Sequence, residues 1–136
     1  MNARILDEAK VCGRAIVYRN ATVSVMAKVY DEATVGGEAY IFENAEIGRT
    51  ANIGSVTQIG GDTVIRYTTD YLTIQGITKD SITFHKSNDK IMICNEHYFG
   101  SLDNFRKQAF EIPQDNIVKE LLLLIELAEY HFENQN

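Results

Sequence analysis

Cysteine, histidine and long apolar runs are scarce in this chain of 136 residues. The two cysteines, Cys12 and Cys94, lie far apart and match no metal-binding or redox spacing, so we expect free thiols in a reducing compartment. The longest apolar stretch, 121–127, has seven residues and contains Glu126, whereas a bilayer span needs roughly 20. The first residues are charged and have no apolar core of a secretion signal, so we expect a cytoplasmic protein without a membrane partner.

Positive charge is also in deficit, because the formal net charge is −6. Most of the excess negative charge lies in residues 66–136, which hold seven Lys and Arg against eleven Asp and Glu. An acidic surface opposes broad electrostatic binding to nucleic acid, which we therefore do not expect as a partner. Such a surface serves solubility or meets a basic partner.

The chain does contain a strict repeat. From Ala9 to Ile65, a triplet of a small residue, any residue and Val or Ile recurs ten times, six residues apart and without insertion or deletion. Strand alternation turns the Val or Ile and the small residue inward and the middle residue outward. Gly, Asn, Asp and Glu cluster between the triplets, as is typical of chain reversals.

This period excludes two common architectures. Six residues drift around a helix of 3.6 residues per turn, so the apolar positions would not share a helical face. Strands of three residues are too short for a stack of hairpins. Short strands that stack on equivalent strands of the next coil satisfy the pattern, which predicts a parallel β-solenoid.

The pattern of residues 11–16, VCGRAI, resembles the hexapeptide repeat of left-handed parallel β-helix proteins. In that family three hexads form one triangular coil, so the resemblance implies about three coils here, with residue n stacked on residue n+18. It also implies a homo-oligomer, with a trimer favoured and a dimer possible. The expected inward columns are Val11/Val29/Ile47/Ile65, Val17/Val35/Ile53 and Val23/Ile41/Ile59.

After Ile65 the period ends and a different organisation is expected. Residues 71–77, 81–86 and 90–94 alternate as strands. Ser101 is a suitable N-cap for a helix from Leu102 to Phe110, and Pro113 precedes a second helix that starts near Asn116. We therefore predict a mainly β protein with a β-helix over 1–67 and a strand-strand-strand-helix-helix cap and oligomerisation segment over 68–136.

The segment 98–105, YFGSLDNF, together with the strands before it, resembles the tail of hexapeptide-repeat proteins of phages and other mobile elements. Those proteins mostly have no assigned activity. Many of them carry a Cys-Gly-Cys run before the Phe-x-Gly motif, where this chain has 95–98, NEHY. The resemblance implies a mobile-element origin. Because this chain departs from the Cys-Gly-Cys run, the resemblance gives no support to metal or redox chemistry at these positions.

The repeat family also includes acyltransferases with a catalytic His and carbonic anhydrases with three zinc-binding His. All three histidines here, His85, His97 and His131, follow the repeat. A C-terminal His acting as general base across a subunit boundary is therefore the alternative function. A local metal site of His85, Cys94 and His97 is a second alternative. We predict neither catalytic residues nor a metal or cofactor.

Outward aromatic side chains are numerous for so small a solenoid. We expect them to pack against the C-terminal segment or a sister subunit, or to form a binding surface. The predicted function is that of a non-catalytic oligomeric binding protein, borne by a phage or mobile element, that inhibits a host defence protein. The candidate binding residues are Tyr18, Tyr30, Tyr40, Phe42, Tyr98 and Phe99.

Overall fold

A computed structural model of the protein describes five stretches of the chain, namely 3–76, 81–87, 89–95, 98–110 and 116–133. The chain divides into two compact units, Met1–Tyr71 and Leu72–Asn136. Within the described stretches, neither helix is long and apolar enough to cross a membrane.

The first unit is a β-solenoid. Its described residues form eleven two-residue strands, and each strand pairs in parallel with the strand three places later. This confirms the predicted parallel β-helix of about three coils. The strands are β1 (Arg4–Ile5), β2 (Lys10–Val11), β3 (Ile16–Val17), β4 (Thr22–Val23), β5 (Lys28–Val29), β6 (Thr34–Val35), β7 (Tyr40–Ile41), β8 (Glu46–Ile47), β9 (Asn52–Ile53), β10 (Gln58–Ile59) and β11 (Val64–Ile65).

Three parallel sheets form the faces of the solenoid. Face A has the order β1-β4-β7-β10, face B the order β11-β8-β5-β2, and face C the order β3-β6-β9. The repeat begins one hexad earlier than predicted, because Ala3-Arg4-Ile5 fits the triplet and β1 pairs with β4. The predicted register is confirmed, since Val11 pairs with Val29 and Val29 with Ile47.

The inward columns make the core of the solenoid. From Val23 to Ile65 every inward Val and Ile is at most 1 % exposed, and the small residues beside them are equally buried. Burying each such aliphatic side chain contributes roughly 1.5–3 kcal/mol. In the first coil the inward side chains are less covered, and Ile5 is 44 % exposed.

Every turn between faces uses one residue in the left-handed region. Ten such residues follow one another at six-residue intervals from Asp7 to Gly61, with φ between 48° and 70°. We number three corners by the faces that they join. The first corner (A to B) holds 6–8, 24–26, 42–44 and 60–62, the second (B to C) holds 12–14, 30–32 and 48–50, and the third (C to A) holds 18–20, 36–38 and 54–56.

Side chains close the last coil beside β9. A 3-10 turn, Thr68–Asp70, follows β11, and the hydroxyl of Thr68 accepts the N–H of Asn52 at 3.2 Å. The Tyr71 hydroxyl donates to the carbonyl of Asn52 at 2.8 Å. Burial raises the pKa of that phenol. These hydroxyls take the hydrogen bonds that a further coil would otherwise make with β9.

The second unit contains a four-stranded sheet of order β12-β13-β14-β15 and two helices. The three predicted strands are present, and a fourth, β15, was missed because three residues around Gly100 show no periodicity. The Ser101 hydroxyl accepts the N–H of Asn104 at 3.2 Å, as expected of an N-cap. The elements are β12 (Tyr71–Ile74), β13 (Ile82–Ser87), β14 (Lys90–Cys94), β15 (Phe99–Ser101), α1 (Leu102–Phe110) and α2 (Asn116–Glu133).

A second core lies between this sheet and its helices. Alternate residues of β13 point to it, so Ile82 and Phe84 are buried there, whereas Thr83 and His85 face the other side. An ion pair between Arg106 of α1 and Glu129 of α2 joins the helices. The buried members of this core are Ile82, Phe84, Ile93, Leu102, Ile125, Ala128 and Phe132.

Candidate functional site

Three of the predicted outward aromatics cover glycines of the next coil. In each pair the ring lies over the backbone eighteen residues later, and a Cβ atom at the glycine would overlap the ring. An aromatic ring that shields a glycine compensates for its missing side chain. Burial also raises the pKa of the Tyr30 phenol. The pairs are Tyr18 with Gly36, Tyr30 with Gly48, and Phe42 with Gly60.

Tyr40, the fourth predicted aromatic of the solenoid, remains at the surface. Its ring stacks on Phe42 with centroids 4.9 Å apart and planes inclined by 27°. The Ser24 hydroxyl donates to the Tyr40 hydroxyl at 3.3 Å. Tyr40 is nevertheless 40 % exposed, so one edge of this stack is open to solvent.

The Tyr40–Phe42 stack adjoins exposed aliphatic side chains at the first corner. Leu6, Val25 and Met26 are 42 %, 41 % and 51 % exposed. Backbone hydrogen bonds hold these turns on consecutive coils, with Glu8 N–H to Val25 C=O at 2.9 Å and Met26 N–H to Glu43 C=O at 3.0 Å. We define the apolar corner as Leu6, Val25, Met26, Tyr40 and Phe42.

Val25 is strained at the centre of the apolar corner. Its φ is +60°, which a β-branched residue adopts at a cost of roughly 1–2 kcal/mol. The carboxylate of Asp7 accepts its N–H at 3.1 Å and helps to hold the turn. At the other described corners the equivalent residue is Gly, Asp, Arg, Glu or Ser, so Val25 is the β-branched exception.

The apolar corner has an acidic border. The twelve positions of the first corner include four acidic residues, Asp7, Glu8, Glu43 and Asp62, and no Lys or Arg. The second corner mixes both signs, with Arg14 within 4.0 Å of Glu32. Among the three corners, therefore, the first combines exposed apolar side chains with charge of one sign.

The C-terminal candidates lie within the second unit. Thr83 opposes Cys94 and His85 opposes Met92, so His85 and Cys94 share a face of the sheet, on neighbouring strands. His85 is fully buried and its pKa is lowered to about 4 by that burial. Its ring centroid lies 6.2 Å from that of Phe99, which is 36 % exposed. In this conformation His85 does not reach solvent as a general base would have to.

The remaining member of the predicted cluster is His97. His97 lies outside the described residues, as does Pro113. Tyr98 is half-buried and packs on Phe105, with centroids 5.5 Å apart. Among the residues that the structure describes, no three His, Cys, Asp or Glu side chains are grouped to hold a metal ion.

Comparisons with protein-family models, with curated proteins and with solved structures found no match. Sequence reasoning identified Tyr40 and Phe42 and missed Leu6, Val25 and Met26. The available signal was the position of Val25 in its hexad, where neighbouring hexads carry Gly, Asp or Arg.

The two cysteines differ in accessibility, which yields a simple prediction. Cys12 is exposed, whereas Cys94 is only 1 % exposed. We expect the folded protein to release one equivalent of thionitrobenzoate from Ellman's reagent rapidly, and a second only on unfolding. Cys12→Ser should abolish the rapid phase and Cys94→Ala should leave it unchanged. Two rapid equivalents from the folded protein would contradict the buried position of Cys94.

Proposed function

We propose that this protein is a non-catalytic binding protein of the hexapeptide-repeat class and that it recognises a protein partner through the apolar corner. The observation that carries the proposal is Val25. An exposed β-branched residue at φ +60° costs folding free energy and gains little from burial in the protein alone. Local strain at an exposed apolar position is typical of a surface shaped for binding.

The charge of the border defines the partner. Asp7, Glu8, Glu43 and Asp62 surround the exposed aliphatic and aromatic side chains. Their complement is a protein surface with an apolar centre and Lys or Arg around it. The resemblance of the tail to proteins of mobile elements supports a host defence protein as the target. That protein is inhibited when the apolar corner covers its complementary surface.

Oligomerisation fits the same function. A homo-oligomer presents several copies of the apolar corner and raises its avidity for a multivalent target. The resemblance of the repeat to threefold-packed proteins favours a trimer. The proposed activity depends on complementary surfaces, so it requires neither a cofactor nor an acyl donor.

Val25→Asn separates stability from binding. Asparagine tolerates the left-handed region, so the variant should be more stable to urea by about 1 kcal/mol. Loss of the apolar side chain should weaken partner capture by roughly tenfold. The amount of partner captured from a lysate of the source cells by wild-type and variant protein is compared by quantitative mass spectrometry. The amount captured should also fall as added salt screens the acidic border.

Ser55→Asn is the matched control, because Ser55 has φ +56° at the third corner and carries no apolar surface. It should capture the partner as the wild type does. Equal capture by Val25→Asn and wild type, or the absence of any stoichiometric partner, would overturn the proposal. Turnover of acetyl-CoA with amine or alcohol acceptors that His85→Ala abolishes would support the acyltransferase alternative instead.

A further inference from the structure

Helix α2 has a second apolar face that its own unit does not cover. Ile125, Ala128 and Phe132 pack into the second core. On the opposite side Leu123, Leu127 and Tyr130 are 65 %, 50 % and 69 % exposed. Leu127 ends the apolar stretch 121–127, and the structure places it at the surface. The spacing i, i+4, i+7 aligns the three exposed residues along one face of the helix.

Charged residues border this face along one edge. Lys119, Glu126 and Glu133 recur every seven residues and are exposed. A rise of 1.5 Å per residue puts Lys119 about 21 Å from Glu133 along the helix axis. The edge is therefore basic at its N-terminal end and acidic towards its C-terminal end.

We propose that this face binds a second copy of the chain, with the two α2 helices antiparallel about a twofold axis near Glu126 and Leu127. Leu123 of each copy then packs against Tyr130 of the other. The charged edges face one another, so Lys119 of each copy lies opposite Glu133 of the second copy. Such an interface is isologous, because the same patch serves both chains.

Charge complementarity selects a second copy and this orientation. The antiparallel arrangement forms two Lys119–Glu133 pairs and sets the two Glu126 side chains near each other at the axis. In a parallel coiled coil, the edge with Lys119 and Glu133 would instead lie against the opposite edge of the second helix. Leu124 on that opposite edge is partly buried in the second core. The antiparallel pair therefore gains both opposite-charge contacts at the expense of one like-charge contact.

Three side chains per helix bury less area than the ~1,600 Å² of a standard interface. The dimer should accordingly be weak and dependent on concentration. Its contact surface lies on the second unit and the apolar corner on the first, so the inference stands without the proposed function.

The test is sedimentation equilibrium of the full chain at several concentrations. Lys119→Glu and Glu133→Lys should each raise the dissociation constant by about tenfold, because each replaces two attractive pairs by two repulsive ones. The double variant with both substitutions should return to the wild-type constant. Glu126→Gln should tighten the dimer, since it removes the repulsion at the axis.

Lys10→Glu is the matched control, because Lys10 is exposed on β2 of the first unit and so lies outside the α2 face. It should leave the dissociation constant unchanged, and circular dichroism confirms that each variant keeps its helix content. A double variant that dimerises no better than either single variant would overturn the antiparallel contact. So would a monomer at every concentration, or a trimer insensitive to all of these substitutions.

Discussion

Gly37→Ala is expected to lower the free energy of unfolding by about 3 kcal/mol. Gly37 turns the third corner with φ +61°, where an alanine costs roughly 1–2 kcal/mol. A Cβ atom there would also lie 2.7 Å from the nitrogen and 2.8 Å from the carbonyl oxygen of Ser55. These are backbone atoms of the next coil, so no side-chain rotation relieves the overlap and the coil spacing must change.

Gly54→Ala is the comparison for that substitution, measured by urea unfolding under the same conditions. Gly54 lies one coil further along the same corner, and in the described part of the chain no atom comes within 4 Å of a Cβ placed there. Its φ is not positive, so alanine should be neutral or stabilise by a few tenths of a kcal/mol. Equal effects of the two substitutions would show that the corner spacing adjusts freely.

His85 is expected to make the folded protein sensitive to mild acid. Burial lowers the pKa of its imidazole from 6.5 to about 4. Between these values the unfolded chain binds a proton that the folded protein does not, so stability falls as the pH is lowered. The loss begins near pH 6.5 and is complete below about pH 4, where both states are protonated. Between pH 7 and pH 5 it amounts to about 2 kcal/mol, at 1.36 kcal/mol for each pKa unit.

His85→Gln removes the titrating group while keeping a polar side chain. Its unfolding free energy should lose about 2 kcal/mol less than that of the wild type between pH 7 and pH 5. Urea unfolding at each pH provides the comparison, and parallel slopes for wild type and His85→Gln would contradict a buried neutral imidazole.

The ring-on-glycine pairs change the interpretation of the outward aromatics. Tyr18, Tyr30 and Phe42 each cover a glycine of the following coil, so the constant spacing of eighteen residues between ring and glycine has a structural cause. Tyr40 is different, since it stacks on Phe42 and stays exposed. The binding surface proposed here therefore rests on aliphatic residues that the aromatic pattern did not indicate.

Much of the solenoid was predictable from local pattern. The six-residue period determined that Val11 would lie below Val29 and Ile47, because the same hexad generates the same short strand each time. The second unit was less regular. Its three longer strands and the Ser101 cap were identified, whereas β15 was missed because a three-residue strand carries no measurable alternation.

The sequence alone therefore determined the repeat, its register and the inward columns, since these depend on periodicity that is written along the chain. The tertiary structure decided which surface residues are neighbours. Leu6, Val25 and Tyr40 are distant in sequence and come onto consecutive coils only when the coils stack. Leu123 and Leu127 are exposed because Ile125, Ala128 and Phe132 take the inner face of α2. Burial and the sign of φ are properties of the packed chain, and they distinguish a strained, exposed Val25 from the other residues of its repeat.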